Sequence, residues 1–160
     1  MRNAFVETLI DLMKKDDRIW MLTADVGYGF FDNIRKTFPD RFLNCGISEQ
    51  AMIGTAVGLS NSGKIPFVFS MTPFVLYRPY EFIRVLVHYD KANVNIVASG
   101  RGSDYADDHN YSHHGTEDKI VLKSLFNIKG LWPKTAKEVS SMVKEMVEKD
   151  GPYYLNIKRR

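Results

Sequence analysis

The sequence predicts an α/β fold, a doubly wound and mainly parallel sheet with helices on both faces. Helical and extended hydrophobic patterns alternate along the whole chain, which favours strand–helix–strand units and a parallel sheet. No internal repeat, low-complexity tract or linker interrupts this alternation. With 160 residues, 44% hydrophobic and 26% charged, the chain has the size and composition of one globular domain with an ordinary core.

Short apolar runs predict the strands of the sheet. Runs of this length, set between helical patterns, are typical of strands buried in a parallel sheet. The predicted strands are 19–23, 41–45, 66–71, 94–99, 128–132 and 153–157.

Apolar residues at helical spacing predict the helices of the first half of the chain. The first stripe consists of Phe5, Leu9, Leu12 and Met13. A second helix lies within 31–37 and is stopped by Pro39. Ser48 is a favourable N-cap for the third helix, which extends to about residue 62, where Gly63 can cap its C-terminus.

Two further helices and one long loop are predicted in the second half. The first helix, which follows a loop after the strand 66–71, carries Ile83, Leu86 and Val87. The second carries Val139, Met142, Val143, Met146 and Val147. The segment 100–115 is polar, rich in Asp, His and Gly, and has no periodicity, so we expect a loop.

Three segments are predicted to lie where a parallel sheet binds its ligands, beyond the carboxyl ends of the strands. They are the loop after Asp25, the turn 46–49 and the loop 100–115. Their common position at one edge of the sheet is topological support for a site there.

Charge, cysteine content and hydropathy narrow the class of protein. The net charge of +3 is small and the basic residues are spread along the chain, which disfavours a nucleic-acid partner. Cys45 is the single cysteine, so the chain cannot form an internal disulfide. No apolar run approaches the ~20 residues that span a bilayer, and Glu7 and Asp11 interrupt the N-terminal apolar residues. We expect a cytoplasmic protein without a membrane partner.

The most informative segment is 44–52, with the sequence Asn-Cys-Gly-Ile-Ser-Glu-Gln-Ala-Met. It places Glu49 at the start of a helix, just after a short strand, and Gly46 permits the tight turn between them. Gly54 and Gly58 then make a small-residue helix that can pack closely. On spacing alone, Glu49 could simply complement the helix dipole. A carboxylate held at such a place is also suited to proton chemistry on a bound ring.

This segment resembles the Gly-Ile-x-Glu-Gln/His motif of transketolase-type thiamine diphosphate enzymes. The resemblance continues through the strand 66–70, through Phe74 and 78–84, through the His-His-Gly at 113–115, and through the Gly-Pro-Tyr-Tyr-Leu at 151–155. It therefore covers nearly the whole chain. It implies that residues 1–160 form a single pyrimidine-binding domain of that family, with thiamine diphosphate as the cofactor.

The resemblance also implies roles for individual residues. Glu49 would hydrogen-bond the aminopyrimidine ring of the cofactor and, with His113, would be catalytic. Phe74 would pack on that ring, with Tyr77 beside it, and Asp25 would lie at the cofactor end of the first strand. Each residue also has a plainer interpretation: Phe74 as a core aromatic, Asp25 as a loop residue that caps backbone amides, and His113 as a surface histidine.

The loop 100–115 is predicted to meet the substrate. The resemblance places His113 and His114 near the reacting atoms, and Arg101 is suited to a phosphate or carboxylate, because a guanidinium binds both with two hydrogen bonds. The same loop also allows a metal site, built from Asp107, Asp108, His109, His113 and His114. Because the resemblance accounts for these residues, we predict no metal site in this chain.

Two positions depart from the family pattern. The segment 108–113 is one residue longer than the usual Asp-Gly-Pro-Thr-His, so the usual Asp has no certain counterpart. Trp132 precedes Pro133 where some transketolases have an Arg that helps to bind the substrate phosphate. The missing cation favours an unphosphorylated or unusual donor.

The sequence lacks the other half of a thiamine diphosphate site. It has no Gly-Asp-Gly followed by a distal Asn, no glycine-rich phosphate loop and no transketolase C-terminal domain. We therefore expect a separate diphosphate-binding subunit that binds most of the Mg²⁺, in an α2β2 heterotetramer. The expected reaction is transfer of a two-carbon ketol unit between sugar-type substrates. Two alternatives stay open: decarboxylation or acyl transfer from a 2-oxo acid, and a non-catalytic interaction module.

Overall fold

A six-stranded, all-parallel sheet with strand order β2-β1-β3-β4-β6-β5 forms the centre of the molecule. The structure is a computed structural model and describes residues 1–105 and 111–159. The strands are β1 (Ile19–Thr23), β2 (Phe42–Asn44), β3 (Ile65–Met71), β4 (Asn95–Ser99), β5 (Lys129–Leu131) and β6 (Tyr153–Ile157). All predicted strands are present, although β2 and β5 have only three residues each.

The strand register gives the sheet two apolar faces. Met21 lies beside Phe67 and Leu22 lies beside Val68. Because side chains alternate along a strand, Met21 and Phe67 join one apolar cluster, and Leu22 and Val68 join the other. The fully buried pattern of β4 follows, since helices cover the sheet on both sides.

Helices pack on each of these faces, which confirms the doubly wound prediction. The helices are α1 (Arg2–Met13), α2 (Asp32–Thr37), α3 (Glu49–Asn61), α4 (Thr72–Leu76), α5 (Tyr80–Phe82), α6 (Asp118–Ser124) and α7 (Ala136–Glu148). Apolar residues of α1, α2 and α7 belong to one cluster. Those of α3, α4 and α6 belong to the other. Among the described helices, none combines the length and the apolar content needed to cross a membrane.

The helical segments differ from the prediction in four places. Helix α4 begins directly after β3, where we expected a loop, and Pro73 lies in its first turn, where its missing N–H is harmless. Helix α6 was not predicted. The expected helix around Ile83 is α5 followed by a π-helical segment, Ile83–Tyr89. Ser48 occupies the N-cap position of α3, but its side chain makes no capping hydrogen bond.

The strand order creates a switch point next to β1. The chain leaves β1 for β2 on one side of it and then forms β3 on the other side. Ligands of such sheets bind at this kind of position, beyond the carboxyl ends of the strands. Asp25, Glu49, Phe74 and Arg101 follow β1, β2, β3 and β4, respectively, and all therefore start from this edge.

Candidate functional site

Glu49 is a buried carboxylate at the N-terminus of α3. Its residue is 5% exposed. The turn before it depends on Gly46, whose φ of +70° is costly for other residues. Asn44 stabilises this turn, because its Oδ1 accepts a hydrogen bond of 3.0 Å from the Gly46 amide. The positive end of the helix dipole also favours a negative charge at this position.

Arg78 is the partner of Glu49. Its Nη1 donates a hydrogen bond of 2.9 Å to Glu49 Oε1. The central guanidinium carbon also lies 3.8 Å from the centroid of the Phe74 ring. Glu49 and Phe74, the two residues predicted to hold the aminopyrimidine ring, thus contact the same cationic side chain. Arg78 itself had no predicted role, although it lies in the segment that carries the resemblance.

Phe74 connects this pair to the histidine loop. The Phe74 and His113 ring centroids are 5.0 Å apart, with an edge-to-face angle of 71°. Ser112 Oγ lies 2.9 Å from His113 Nδ1. Glu49, Arg78, Phe74 and His113 therefore form one continuous group, which we call the carboxylate–aromatic cluster. The structure brings three of the predicted site residues together in it.

An open cleft of about 440 Å³ adjoins the cluster. This volume is in the usual range for small-molecule sites. The cleft is lined by Pro73, Tyr77, Tyr111, Ser112, His114, Glu117 and Val121. His114 Nε2 is buried and has no hydrogen-bond partner among the described residues. A buried polar atom of this kind is suited to a ligand, because burial without a partner is costly.

Tyr77 is a fixed hydrogen-bond donor in this cleft. Its hydroxyl lies 3.3 Å from Glu117 Oε2. Burial, together with the negative charges of Glu117 and Asp118, raises the pKa of Tyr77 well above its usual value. Hydrogen bonding from Thr116 is the largest of the effects that lower the pKa of Glu117. At neutral pH, the phenol therefore stays protonated and donates to an ionised carboxylate.

Asp25 lies at the end of β1 and joins β1 to β2. Its carboxylate accepts hydrogen bonds from the Tyr28 hydroxyl at 2.5 Å and from Asn44 Nδ2 at 3.1 Å. These two bonds lower the pKa of Asp25. Its φ is +49°, which is unusual for a residue other than glycine. Asp25 is thus linked through Asn44 to the turn before Glu49, and its predicted contact with the cofactor stays a prediction.

Arg101 follows β4 and points back to the sheet. Its Nη2 donates a hydrogen bond to the carbonyl oxygen of Asn156. Burial lowers its pKa, although the charge of Asp118 acts in the opposite direction. In this conformation, the guanidinium contacts the protein backbone. Substrate binding by Arg101 and His114 therefore stays a prediction.

The alternative metal site lies partly outside the described residues. Asp107, Asp108 and His109 belong to the segment that the structure does not describe. Within 1–105 and 111–159, there is no group of three or more His, Cys, Asp or Glu side chains that could hold a metal ion.

A buried hydrogen-bond network around Asp118 supports the cleft from below. Asp118 Oδ2 accepts bonds from Trp132 Nε1 at 2.8 Å, from Asn156 Nδ2 at 2.6 Å and from the Tyr154 hydroxyl at 3.2 Å. Trp132, which stands where an Arg was sought, therefore has a structural partner. Asp118 itself is 3% exposed and could not be recognised as buried from the sequence.

We expect Trp132→Phe to lower the free energy of unfolding by about 1–3 kcal/mol, because it removes a hydrogen bond to a buried carboxylate. Trp20→Phe is the matched control, since the buried Trp20 Nε1 has no hydrogen-bond partner among the described residues. Urea unfolding of both variants measures the difference. Equal losses in the two variants would show that the bond to Asp118 contributes nothing.

Known proteins share this architecture and sequence. The family model described as transketolase, pyrimidine binding domain, matches residues 1–160. The chain is 38% identical, over 100% of its length, to a putative transketolase C-terminal section from Methanocaldococcus jannaschii. It is 31% identical, over 99% of its length, to one of the subunits of the apulose-4-phosphate transketolase from Phocaeicola vulgatus. It spans about half the length of these curated relatives, 51% of each.

A solved structure gives the same result. The chain superposes with a TM-score of 0.87 on a split-gene transketolase in an inactive β4 tetramer, at 34% sequence identity. The match covers 99% of this chain and 51% of that one. With its full-length match to the family model and its all-parallel sheet, the chain belongs to the transketolase pyrimidine-binding domain family.

Proposed function

We propose that this chain is the pyrimidine-binding subunit of a split, thiamine diphosphate-dependent transketolase. The enzyme would transfer a two-carbon ketol unit between sugar-type substrates. The observation that carries the proposal is the buried carboxylate of Glu49, placed at a helix N-terminus in one cluster with the Phe74 ring. The family and the relatives named as a transketolase section and a transketolase subunit support the same reaction class.

The residues of the cluster fit the pyrimidine half of the cofactor. Glu49 offers carboxylate oxygens to a ring nitrogen, and Phe74 offers a ring face that already takes a planar cationic group. The adjoining cleft supplies a hydroxyl on Tyr77 and the unpartnered Nε2 of His114. Such a set of few polar groups among apolar ones is typical of cofactor sites.

Each residue of the cluster has a distinct part in the proposed reaction. When bound, thiamine diphosphate supplies the carbon nucleophile that cleaves and re-forms the bond next to the substrate carbonyl. Glu49 holds a proton between its carboxylate and the ring nitrogen, and burial strengthens that hydrogen bond. Phe74 orients the ring. His113, at the edge of Phe74, is placed to exchange a proton with a substrate hydroxyl, since imidazole both donates and accepts near neutral pH.

A separate subunit completes the site in this proposal. The chain carries no sequence pattern for binding a diphosphate, and the described residues contain no metal-binding group. We therefore assign the diphosphate and the Mg²⁺ mainly to a partner chain. Two copies of each chain give a closed, symmetric α2β2 assembly, which is the common form of such complexes.

A donor screen on the complex with the partner tests the reaction class. We expect ketose donors to give the shortened aldose and the ketose lengthened by two carbons, measured by chromatography of the products with an aldose acceptor. The unphosphorylated ketoses are the informative set, because Trp132 stands where a phosphate-binding Arg was sought. Carbon dioxide release from 2-oxo acids, without ketol transfer, would instead assign the chain to the decarboxylase or acyl-transfer alternative.

A further inference from the structure

Arg78 makes two contacts in the cluster that are the same contacts expected of the bound cofactor ring. Its planar guanidinium donates an N–H to Glu49 Oε1 and lies over the ring of Phe74, 3.8 Å from its centroid. An aminopyrimidine is also planar and also polarised, and it would use the same carboxylate and the same ring. The guanidinium therefore has the shape and the hydrogen-bonding character of the ligand.

The burial of the pair shows which partner is fixed and which can move. The Glu49 side chain is 6% exposed, whereas that of Arg78 is 46% exposed. A buried carboxylate without a partner is costly, so a cation is expected at this position when no ligand is bound. The Arg78 side chain reaches the cluster from the segment between α4 and α5, and its exposed side gives it a path to solvent.

We propose that Arg78 occupies the aminopyrimidine position in the cofactor-free chain and must be displaced before the cofactor binds. This inference rests on the proposed function, because it requires thiamine diphosphate to be the ligand of Glu49. Arg78 thereby sets the apparent affinity. It stabilises the empty site, and the cofactor binds only the fraction of molecules in which the guanidinium has moved away.

Arg78→Met tests the proposal in the complex with the diphosphate-binding partner. Met keeps the length of the side chain and removes its charge and donors. We expect the dissociation constant for thiamine diphosphate with Mg²⁺, followed by fluorescence quenching, to fall by about tenfold, as for a competent fraction near one tenth. We also expect faster association. Arg18→Met is the matched control, because Arg18 likewise pairs with a shielded carboxylate, Asp16, at 2.7 Å, but just before β1 at the opposite edge of the sheet.

The competing outcome is that Arg78 stays in place and supports the cofactor. Unchanged or weaker binding in Arg78→Met, with tight binding by the wild type, would overturn the displacement proposal and leave the proposed function intact. A wild-type complex that binds no thiamine diphosphate would overturn both.

Chemical modification of the wild-type complex gives a second test that needs no substitution. Phenylglyoxal reacts with accessible guanidinium groups, and mass spectrometry of the Arg78 peptide measures the rate. We expect saturating thiamine diphosphate and Mg²⁺ to increase the rate at Arg78 at least several-fold and to leave the rate at Arg18 unchanged. Protection of Arg78 by the cofactor would overturn the proposal, because it would place the guanidinium under the bound ring.

Discussion

Glu49→Gln is expected to lower the turnover of the assembled enzyme by about 100- to 10,000-fold, the usual contribution of a positioned proton-transfer group. The amide is nearly isosteric with the carboxylate and cannot hold a proton against the ring nitrogen. Its oxygen can still accept the hydrogen bond from Arg78, so folding and assembly should be kept. The measurement is steady-state turnover at saturating cofactor, with circular dichroism and size-exclusion chromatography as checks.

Glu81→Gln provides the control for this substitution. Glu81 lies in α5 and pairs with Arg84 at 2.8 Å, but its side chain is 63% exposed and makes no described contact with the cluster. The same chemical change there should leave turnover within about twofold, because exposed ion pairs contribute little. Unchanged turnover in Glu49→Gln would remove the catalytic role of Glu49 and would favour the non-catalytic module.

The chain alone is expected to show no measurable turnover. The cluster can hold the pyrimidine ring, but the diphosphate and the metal are assigned to the partner. Losing even two charge-assisted hydrogen bonds costs on the order of 3–6 kcal/mol, which weakens cofactor binding by more than about 100-fold. Adding the diphosphate-binding chain should restore activity, and the activity should saturate at a fixed ratio of the two chains.

The control for reconstitution is the partner chain mixed with the Glu49→Gln variant of this chain. That mixture should assemble in the same ratio but stay nearly inactive. Turnover by the wild-type chain without its partner would contradict the split-site proposal, even if the partner increased it further.

Much of the fold follows from local sequence. The alternation of apolar runs and helical stripes specified six strands and the main helices, because burial on both sides of a parallel sheet leaves a strong hydrophobic pattern. Helix α6 has no such pattern. Its residues Ile120 and Leu122 are 68% and 7% exposed, so the apolar residues do not mark one buried face. Helix α4 has only five residues, too few for a periodicity.

The site divides in the same way. Glu49, Phe74 and His113 were predicted from motifs, and the structure brings them into one cluster. The Arg78–Glu49 ion pair joins residues 29 positions apart, on α3 and after α4, and depends on the packing of the two elements. Local patterns carry no information on such a contact. The contact of Arg101 with Asn156, 55 positions away, was unpredictable for the same reason.

A titration with thiamine diphosphate and Mg²⁺ tests the central claim most directly. It is performed on this chain, on the diphosphate-binding partner and on their mixture, by calorimetry at one salt concentration. We predict tight binding only in the mixture, with one cofactor for each copy of this chain. Tight binding by this chain alone would contradict the shared site, and no binding by a folded complex would contradict the assignment as a thiamine diphosphate enzyme.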